Sequence, residues 1–157
     1  MFASVFRMLA AAIIFPPVAV SAEPRHVFVV VKVAANQGWQ NVRLRLGGRG
    51  MLKFTAQGKW VFNPSQPPVG GGGAGNLSTA GRTNYVFSGP DGREGQLIGK
   101  IGDAAPFVAG ADGVHKIKRN EIGRLTLTIN DDFKRTAGAG LADNSDYLRV
   151  RIDYERE

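Results

Sequence analysis

Oxygen-bearing side chains cluster at both ends of one loop in the last third of the chain, within "TINDDFKRTAGAGLADNSDY" (128–147). The first group is Asn130, Asp131 and Asp132, and the second is Asp143, Asn144, Ser145 and Asp146. Carboxylate, amide and backbone carbonyl oxygens are the ligands of a hard cation such as Ca²⁺, whereas Mg²⁺ prefers few protein ligands and several waters. Clustered carboxylates also repel one another unless a cation neutralises them. The pattern therefore favours a Ca²⁺ site over a Mg²⁺ site.

Two other interpretations of these residues stay open. Asp and Asn are common turn residues that bond to their own backbone, so the cluster is also consistent with ordinary turns. Paired carboxylates occur in glycosidases as well, but such an enzyme needs one acid held protonated in an apolar pocket. Asp131/Asp132 and Asp143/Asp146 stand among Asn, Gly and other acids, which favours ionised groups and a cation over proton transfer.

Other catalytic chemistry finds little support in the sequence. The chain has no cysteine, which excludes thiol catalysis and thiolate metal sites. His26 and His115 are the two histidines, and neither stands near a nucleophile motif, so both are predicted to be surface residues. The sequence has no G-x-S-x-G, H-E-x-x-H, P-loop or EF-hand pattern. We therefore expect that this protein is not an enzyme.

Strands with alternating apolar and polar residues are predicted to position the oxygen cluster. Alternation of this kind is the signature of half-buried β-strands. The clearest runs are 43–46, 51–54, 124–129 and 148–152. The exposed arginines of these runs (Arg43, Arg45, Arg149 and Arg151) are predicted to form solvated faces. "HVFVVVKVA" (26–34) is more uniformly apolar, which predicts a strand buried on both faces.

Weaker strand signals and frequent turn signals complete the pattern. Candidate strands also cover 59–62, 84–87, 96–101, 106–108 and 113–118. Glycine-rich and Asp-Gly turns separate them, and no helical period follows the N-terminal segment. The segment 64–83 lacks strand character and is predicted to be a disordered insertion or a binding loop. Eight or nine short strands predict an all-β fold, an antiparallel β-sandwich or jelly roll. Strands 124–130 and 146–153, paired as antiparallel neighbours, would bring the two oxygen groups together.

The N-terminus predicts an exported protein. Residues 1–22 carry one early positive charge, a long apolar run and small residues before position 23, as a signal peptide does. The predicted organisation is therefore a signal peptide at 1–22 and one domain at 23–157, secreted or periplasmic and without a transmembrane segment after cleavage. Loss of Arg7 lowers the formal net charge from +7 to +6. That charge suits anionic surfaces or polysaccharides, and export makes nucleic acid an unsuitable partner.

Several stretches, in this order, resemble the PA-IL-like galactose-binding lectins, a bacterial calcium-dependent family. They are "AANQGW" (34–39), "LRLGGRGMLKFTAQGKWVFNP" (44–64), "GQLIGKIGDAAPFVAG" (95–110), "GRLTLTINDD" (123–132) and "DNSDYLRVRI" (143–152). The resemblance spans most of the predicted mature chain. It implies a galactose-binding-domain-like β-sandwich with one Ca²⁺ at its rim, whose coordination shell is completed by sugar hydroxyls.

The resemblance also implies site residues. Asp131 corresponds to a carboxylate that bridges ion and sugar, Asp143 and Asn144 to an Asn-Asn ligand pair, and Phe62 to a backbone carbonyl donor. Thr136 is the candidate for a further carbonyl donor near the sugar, and Asn84 the candidate polar contact to it. This chain departs from the family in having Asp at 143, a longer loop between Asp131 and Asp143, and no His within 80–90.

Two functions follow as expectations. The first is an exported Ca²⁺-dependent lectin that binds a glycan, with galactosides implied by the resemblance. The alternative is a structural or adhesive β-sandwich in which Ca²⁺ only stabilises the rim. A homo-oligomer stays open in either case.

Overall fold

Two antiparallel sheets pack face to face in the computed structural model, which describes residues 26–136 and 138–157. The predicted signal peptide (1–22) lies outside the described residues. The nine strands are β1 (His26–Ala34), β2 (Gln40–Leu46), β3 (Gly50–Gln57), β4 (Trp60–Val61), β5 (Leu97–Ile101), β6 (Phe107–Val108), β7 (Val114–Ile117), β8 (Gly123–Ile129) and β9 (Ser145–Arg156). The predicted all-β sandwich is confirmed, and within the described part of the chain no helix is long and apolar enough to span a membrane.

The first sheet has the order β1-β9-β3-β7, with β4 continuing beyond β3 along the same side of β9. The second sheet has the order β2-β8-β5-β6. Alternation in β3, β8 and β9 turns one set of side chains inward, where Leu52, Phe54 and Ile152 of the first sheet meet Leu125 and Leu127 of the second. Each fully buried side chain of this size contributes about 1.5–3 kcal/mol, so this interior holds the two sheets together.

Strand β1 is not buried on both faces, contrary to the prediction from its composition. It forms an edge of the first sheet, and its alternate side chains lie on the outer face of that sheet, where those of its neighbour β9 are exposed as well. Phe28 is 55% exposed and Val30 44% exposed, whereas Val33 is fully buried. A run of valines is typical of a strand that is buried on both faces, but β-branched residues suit a strand with one covered face equally well.

The prediction of a strand over 84–87 is wrong. The backbone N–H and C=O of Phe87 both bond to the side chain of Asn130, so these groups are used by an amide instead of a neighbouring strand. The segment 64–83 contains no regular strand, as predicted, but isolated bridges tie it to the scaffold. They join Val69 to Trp60, Gly72 to Gln96 and Ser78 to Arg93.

Histidine 115 is not a surface residue, contrary to the prediction. Its ring stacks on Phe107 with centroids 3.7 Å apart, and its Nε2 lies 2.9 Å from Glu121 Oε2. This contact joins β7 to the turn that precedes β8. His26 is exposed as predicted and lies 3.4 Å from Asp153.

Candidate metal and ligand site

The two oxygen groups meet at one end of the sandwich, although not in the way the sequence suggested. β8 and β9 belong to opposite sheets and are not paired neighbours. The loop between them crosses from one sheet to the other and brings Asp131 and Asp143 to the same small depression, about 70 Å³ in volume. The lining consists of Phe62, Asn63, Tyr85, Glu94, Asp131, Asp132, Gly138, Ala139, Gly140 and Asp143.

Asp131 is the buried centre of this acidic pocket. It is 8% exposed, and its carboxylate accepts hydrogen bonds from the Asp132 amide at 2.7 Å and from Asn144 Nδ2 at 2.7 Å. Burial raises the pKa of Asp131 and outweighs these hydrogen bonds, and the nearby charges of Asp143 and Glu94 raise it further. The pocket is thus a place where negative charge is costly without a counterion.

Asn144 carries an unsatisfied buried oxygen beside Asp131. Its Nδ2 donates to Asp131 Oδ2 at 2.7 Å and to the backbone carbonyl of Ala35 at 3.1 Å, which fixes the orientation of the amide. The Oδ1 atom of Asn144 has no hydrogen-bond partner, and it is the only fully buried side-chain nitrogen or oxygen of which this is true among residues 26–136 and 138–157. Leaving such an acceptor unpaired costs about 1–3 kcal/mol, so a ligand for this atom is expected.

Asp132 organises the loop that closes the pocket. Its Oδ2 accepts from the Thr136 amide at 2.6 Å and from the Thr136 hydroxyl at 2.7 Å, and its Oδ1 accepts from the Lys134 amide at 3.0 Å. Gly140 has a φ of +59°, and a Cβ there would stand 2.4 Å from the Asp132 carbonyl oxygen. Only glycine fits at this position, and it lets the loop turn back toward Asp143.

A second loop contributes Tyr85 and Glu94 to the pocket. The Tyr85 hydroxyl donates to Glu94 Oε1 at 2.7 Å, and Arg82 donates to the same oxygen. Burial raises the pKa of Tyr85, and the hydrogen bond to Glu94 adds to this effect, so the phenol stays protonated as a donor. Arg82 also lies over the Tyr85 ring, 4.3 Å from its centroid, which holds the three side chains together as one unit.

Asn130 anchors this second loop. It is fully buried, and its Nδ2 lies 2.9–3.1 Å from Thr79 Oγ1 and from the Phe87 and Arg93 carbonyls, while its Oδ1 accepts from the Phe87 amide at 2.9 Å. The sequence placed Asn130 in the oxygen cluster, but its side chain has a structural role. It is the reason that residues 79–94 lie against the end of β8, where Glu94 can face Asp131.

Some of the site residues predicted from the sequence line this pocket, and others do not. Phe62, Asp131 and Asp143 line it, and Asn144 contacts Asp131. Thr136 does not line it, because its hydroxyl and amide are bonded to Asp132. Asn84 does not line it either, and the neighbouring Tyr85 does. Glu94 and Tyr85 were missed, since no local motif marks them and their approach to Asp131 depends on the Asn130 contacts.

The donor set of the pocket is mixed. Within the described ranges, no three His, Cys, Asp or Glu side chains are grouped so that they could hold a metal ion. A cation here would therefore need the Asn144 amide oxygen and backbone carbonyls in addition to Asp131 and Asp143. Carbonyl and amide oxygens are ordinary Ca²⁺ ligands, so the residues present fit such an ion in kind. No protein-family model matches this chain, and no curated protein matches it.

Proposed function

We propose that this protein is a Ca²⁺-dependent carbohydrate-binding protein, a lectin whose ion lies in the acidic pocket. The observation that carries the proposal is the buried, unpartnered Oδ1 of Asn144 next to the buried carboxylate of Asp131. A doubly charged ion would accept both as ligands and would offset the repulsion among Asp131, Asp143 and Glu94.

Different residues of the pocket would supply different kinds of ligand to the ion. Asp131 and Asp143 would supply charge and Asn144 an amide oxygen, and the lining residues Phe62, Gly138 and Gly140 are candidates for further donation through their backbone carbonyls. Each carboxylate oxygen keeps a second lone pair besides the one used in a hydrogen bond, so Asp131 can bond Asn144 and an ion together. The Asp132–Thr136 contacts hold the loop in place around them.

The proposed ligand is a sugar with neighbouring hydroxyl groups. The hydroxyl oxygens of such a sugar would be suitable further ligands for a bound Ca²⁺, and Asp131 and Asp143 would accept hydrogen bonds from those hydroxyls. Since water already serves the ion well, affinity for one sugar is expected to be modest, and several sites acting together would raise it. The resemblance described above points to galactosides. The chain has no His within 80–90, and Tyr85 and Glu94 line the pocket, so other sugars are also tested.

Calorimetric titration tests the ion and the sugar separately. The protein is titrated with Ca²⁺ and then with a galactoside, and a glycan array is run in Ca²⁺ and in EDTA. We expect Ca²⁺ binding in the wild type, its loss in Asp131→Asn and Asp143→Asn, and array signals only with Ca²⁺. Asp146→Asn is the matched control, since Asp146 is an exposed carboxylate that does not line the pocket.

The outcomes separate two functions. Array signals that are present in Ca²⁺ and absent in EDTA support a lectin. Ca²⁺ binding with no glycan signal contradicts the lectin and leaves a structural role for the ion. Absence of Ca²⁺ binding, or equal loss in Asp146→Asn, contradicts the metal site itself.

A further inference from the structure

A basic groove lies on the outer face of the first sheet, at the same end of the sandwich as the acidic pocket. The groove is about 720 Å³ in volume. Its lining comes from β1, β9 and the connection of β3 to β4: Val30, Val31, Lys32, Gln57, Gly58, Lys59, Asp146, Tyr147 and Arg149. The lining has three cations and one carboxylate.

None of the three cations of the groove forms an ion pair with another described residue. The ion pairs within the described residues involve His26, Arg82, His115, Lys116 and Arg151, and none involves Lys32, Lys59 or Arg149. Arg149 therefore differs from Arg151, which is held by Asp153 at 2.7 and 2.8 Å. A solvated strand face normally intersperses charges of both signs, so three unpaired cations in one groove point to an anionic partner.

The groove also offers an aromatic surface. Tyr147 is 47% exposed, and the Lys32 ammonium lies 4.4 Å from the centroid of its ring. Val30, 44% exposed, adds apolar area beside it. Binding sites that combine an apolar surface with a few placed polar groups favour a ligand with both characters, such as a sugar ring that carries an acidic group.

The groove and the acidic pocket adjoin one another along two segments of the chain. Asp143 lines the pocket and Asp146 the groove, and Phe62 lines the pocket and Lys59 the groove. Three residues span at most about 10 Å, so one extended ligand can reach both. The two sites have opposite charge, so such a ligand would present hydroxyl groups to one and anionic groups to the other.

We propose that this groove binds an acidic polysaccharide, with Lys32, Lys59 and Arg149 holding its carboxylate or sulfate groups and Tyr147 contacting a sugar ring. The choice of a polysaccharide over another polyanion rests on the proposed function, while the need for an anionic partner rests on the groove alone. Arg149 presents a planar fork that suits carboxylate and sulfate, and the two lysines act as point charges.

The test compares ligands that differ only in charge. Binding of the full chain to immobilised dextran sulfate, to hyaluronan and to neutral dextran is measured in EGTA, which removes any contribution of the calcium site, and again in Ca²⁺. We expect binding to the two anionic polymers in EGTA and none to dextran. The triple variant Lys32→Gln, Lys59→Gln, Arg149→Gln should weaken that binding roughly tenfold, since each exposed contact contributes modestly.

A matched variant separates the groove from net charge. Arg45→Gln, Arg119→Gln, Arg124→Gln also removes three exposed cations, none of which lines the groove, and should change affinity less than about twofold. Equal losses in both variants overturn the proposal, as does binding of the wild type to dextran. Tighter groove-dependent binding to an oligonucleotide or to phosphatidylglycerol vesicles than to either acidic polymer also overturns it. Failure of Ca²⁺ binding alone leaves these EGTA results, and the groove, unaffected.

Discussion

At the scale of single residues, the acidic pocket is shaped by the contrast between Asp131 and its neighbour Asp132. Both are buried, but Asp132 is surrounded by donors from its own loop, whereas Asp131 faces Asp143 and Glu94. The Asp132 carboxylate is thus satisfied by local hydrogen bonds, whereas Asp131 is held in a position where its charge is unfavourable. This difference identifies Asp131 as the residue that gains most from a bound cation.

The protonation of Asp131 predicts a pH dependence. Because burial raises its pKa above the unfolded value, Asp131 stabilises the calcium-free protein below the unfolded pKa, and this contribution is lost as the pH rises through the folded pKa. Ca²⁺ needs the ionised form, so its affinity should fall roughly tenfold for each pH unit below that raised pKa. Calorimetric titration across the acidic range measures this slope. Asp146→Asn, whose exposed carboxylate does not line the pocket, should show the same slope as the wild type. A wild-type affinity that stays constant across the acidic range would contradict the prediction.

At the scale of elements, the strands were largely predictable because alternation is a local property. The runs at 43–46, 51–54, 124–129 and 148–152 all fall within observed strands, and the weaker signals at 96–101 and 113–118 overlap β5 and β7 to within one residue at each end. The prediction for the valine-rich β1 was wrong because its composition does not show whether a second layer covers the outer face of its sheet. The 84–87 prediction failed because a buried amide 43 residues away replaced a strand partner.

The pocket was predictable only where its residues are close in sequence. Asp131, Asp143 and Asn144 belong to one loop, so a pattern of oxygen side chains reveals them. Glu94 and Tyr85 reach the pocket through a fold-level contact, since the loop that carries them is fixed by Asn130 at the end of β8. No residue spacing within 79–94 predicts that contact, and from the sequence Asn130 is indistinguishable from an ordinary turn residue.

Replacement of Asn130 tests this element-scale dependence. Asn130→Ala leaves Thr79 Oγ1 and the backbone groups of Phe87 and Arg93 without their buried partner, and should cost about 3 kcal/mol or more in the free energy of unfolding. Asn144→Ala, which removes fewer hydrogen bonds, should cost less. Denaturant unfolding measures both. A loss for Asn130→Ala below that for Asn144→Ala would contradict the anchoring role.

At the scale of the whole molecule, one end of the sandwich carries both an acidic pocket and a basic groove, while most of the side chains packed between the sheets are apolar. The chain has no cysteine, so no disulfide supports this end. Its loops are instead fixed by hydrogen bonds to Asn130 and Asp132 and by contacts to the core. A cation that binds only the folded chain would add to these.

Bound calcium should therefore raise the melting temperature. At a Ca²⁺ concentration about 100 times the dissociation constant, the stabilisation is about 2.7 kcal/mol. For a domain of this size that corresponds to a shift of roughly 10 °C. Differential scanning calorimetry in Ca²⁺ and in EGTA measures it, with Asp131→Asn and Asp146→Asn as the disabled and control variants. An unchanged melting temperature in the wild type would count against a calcium site.

The pairing of β1 with β9 has a practical consequence. His26 lies opposite Glu155, and Ala34 lies opposite Tyr147, so positions 26 and 155 are side by side at one pole, while the pocket lies at the opposite pole and the groove extends from there as far as Val30. Twelve residues of extended chain separate these two poles by about 40 Å. A tether attached at either position, to a bead, a dye or another polypeptide, would leave the opposite pole pointing outward and unobstructed.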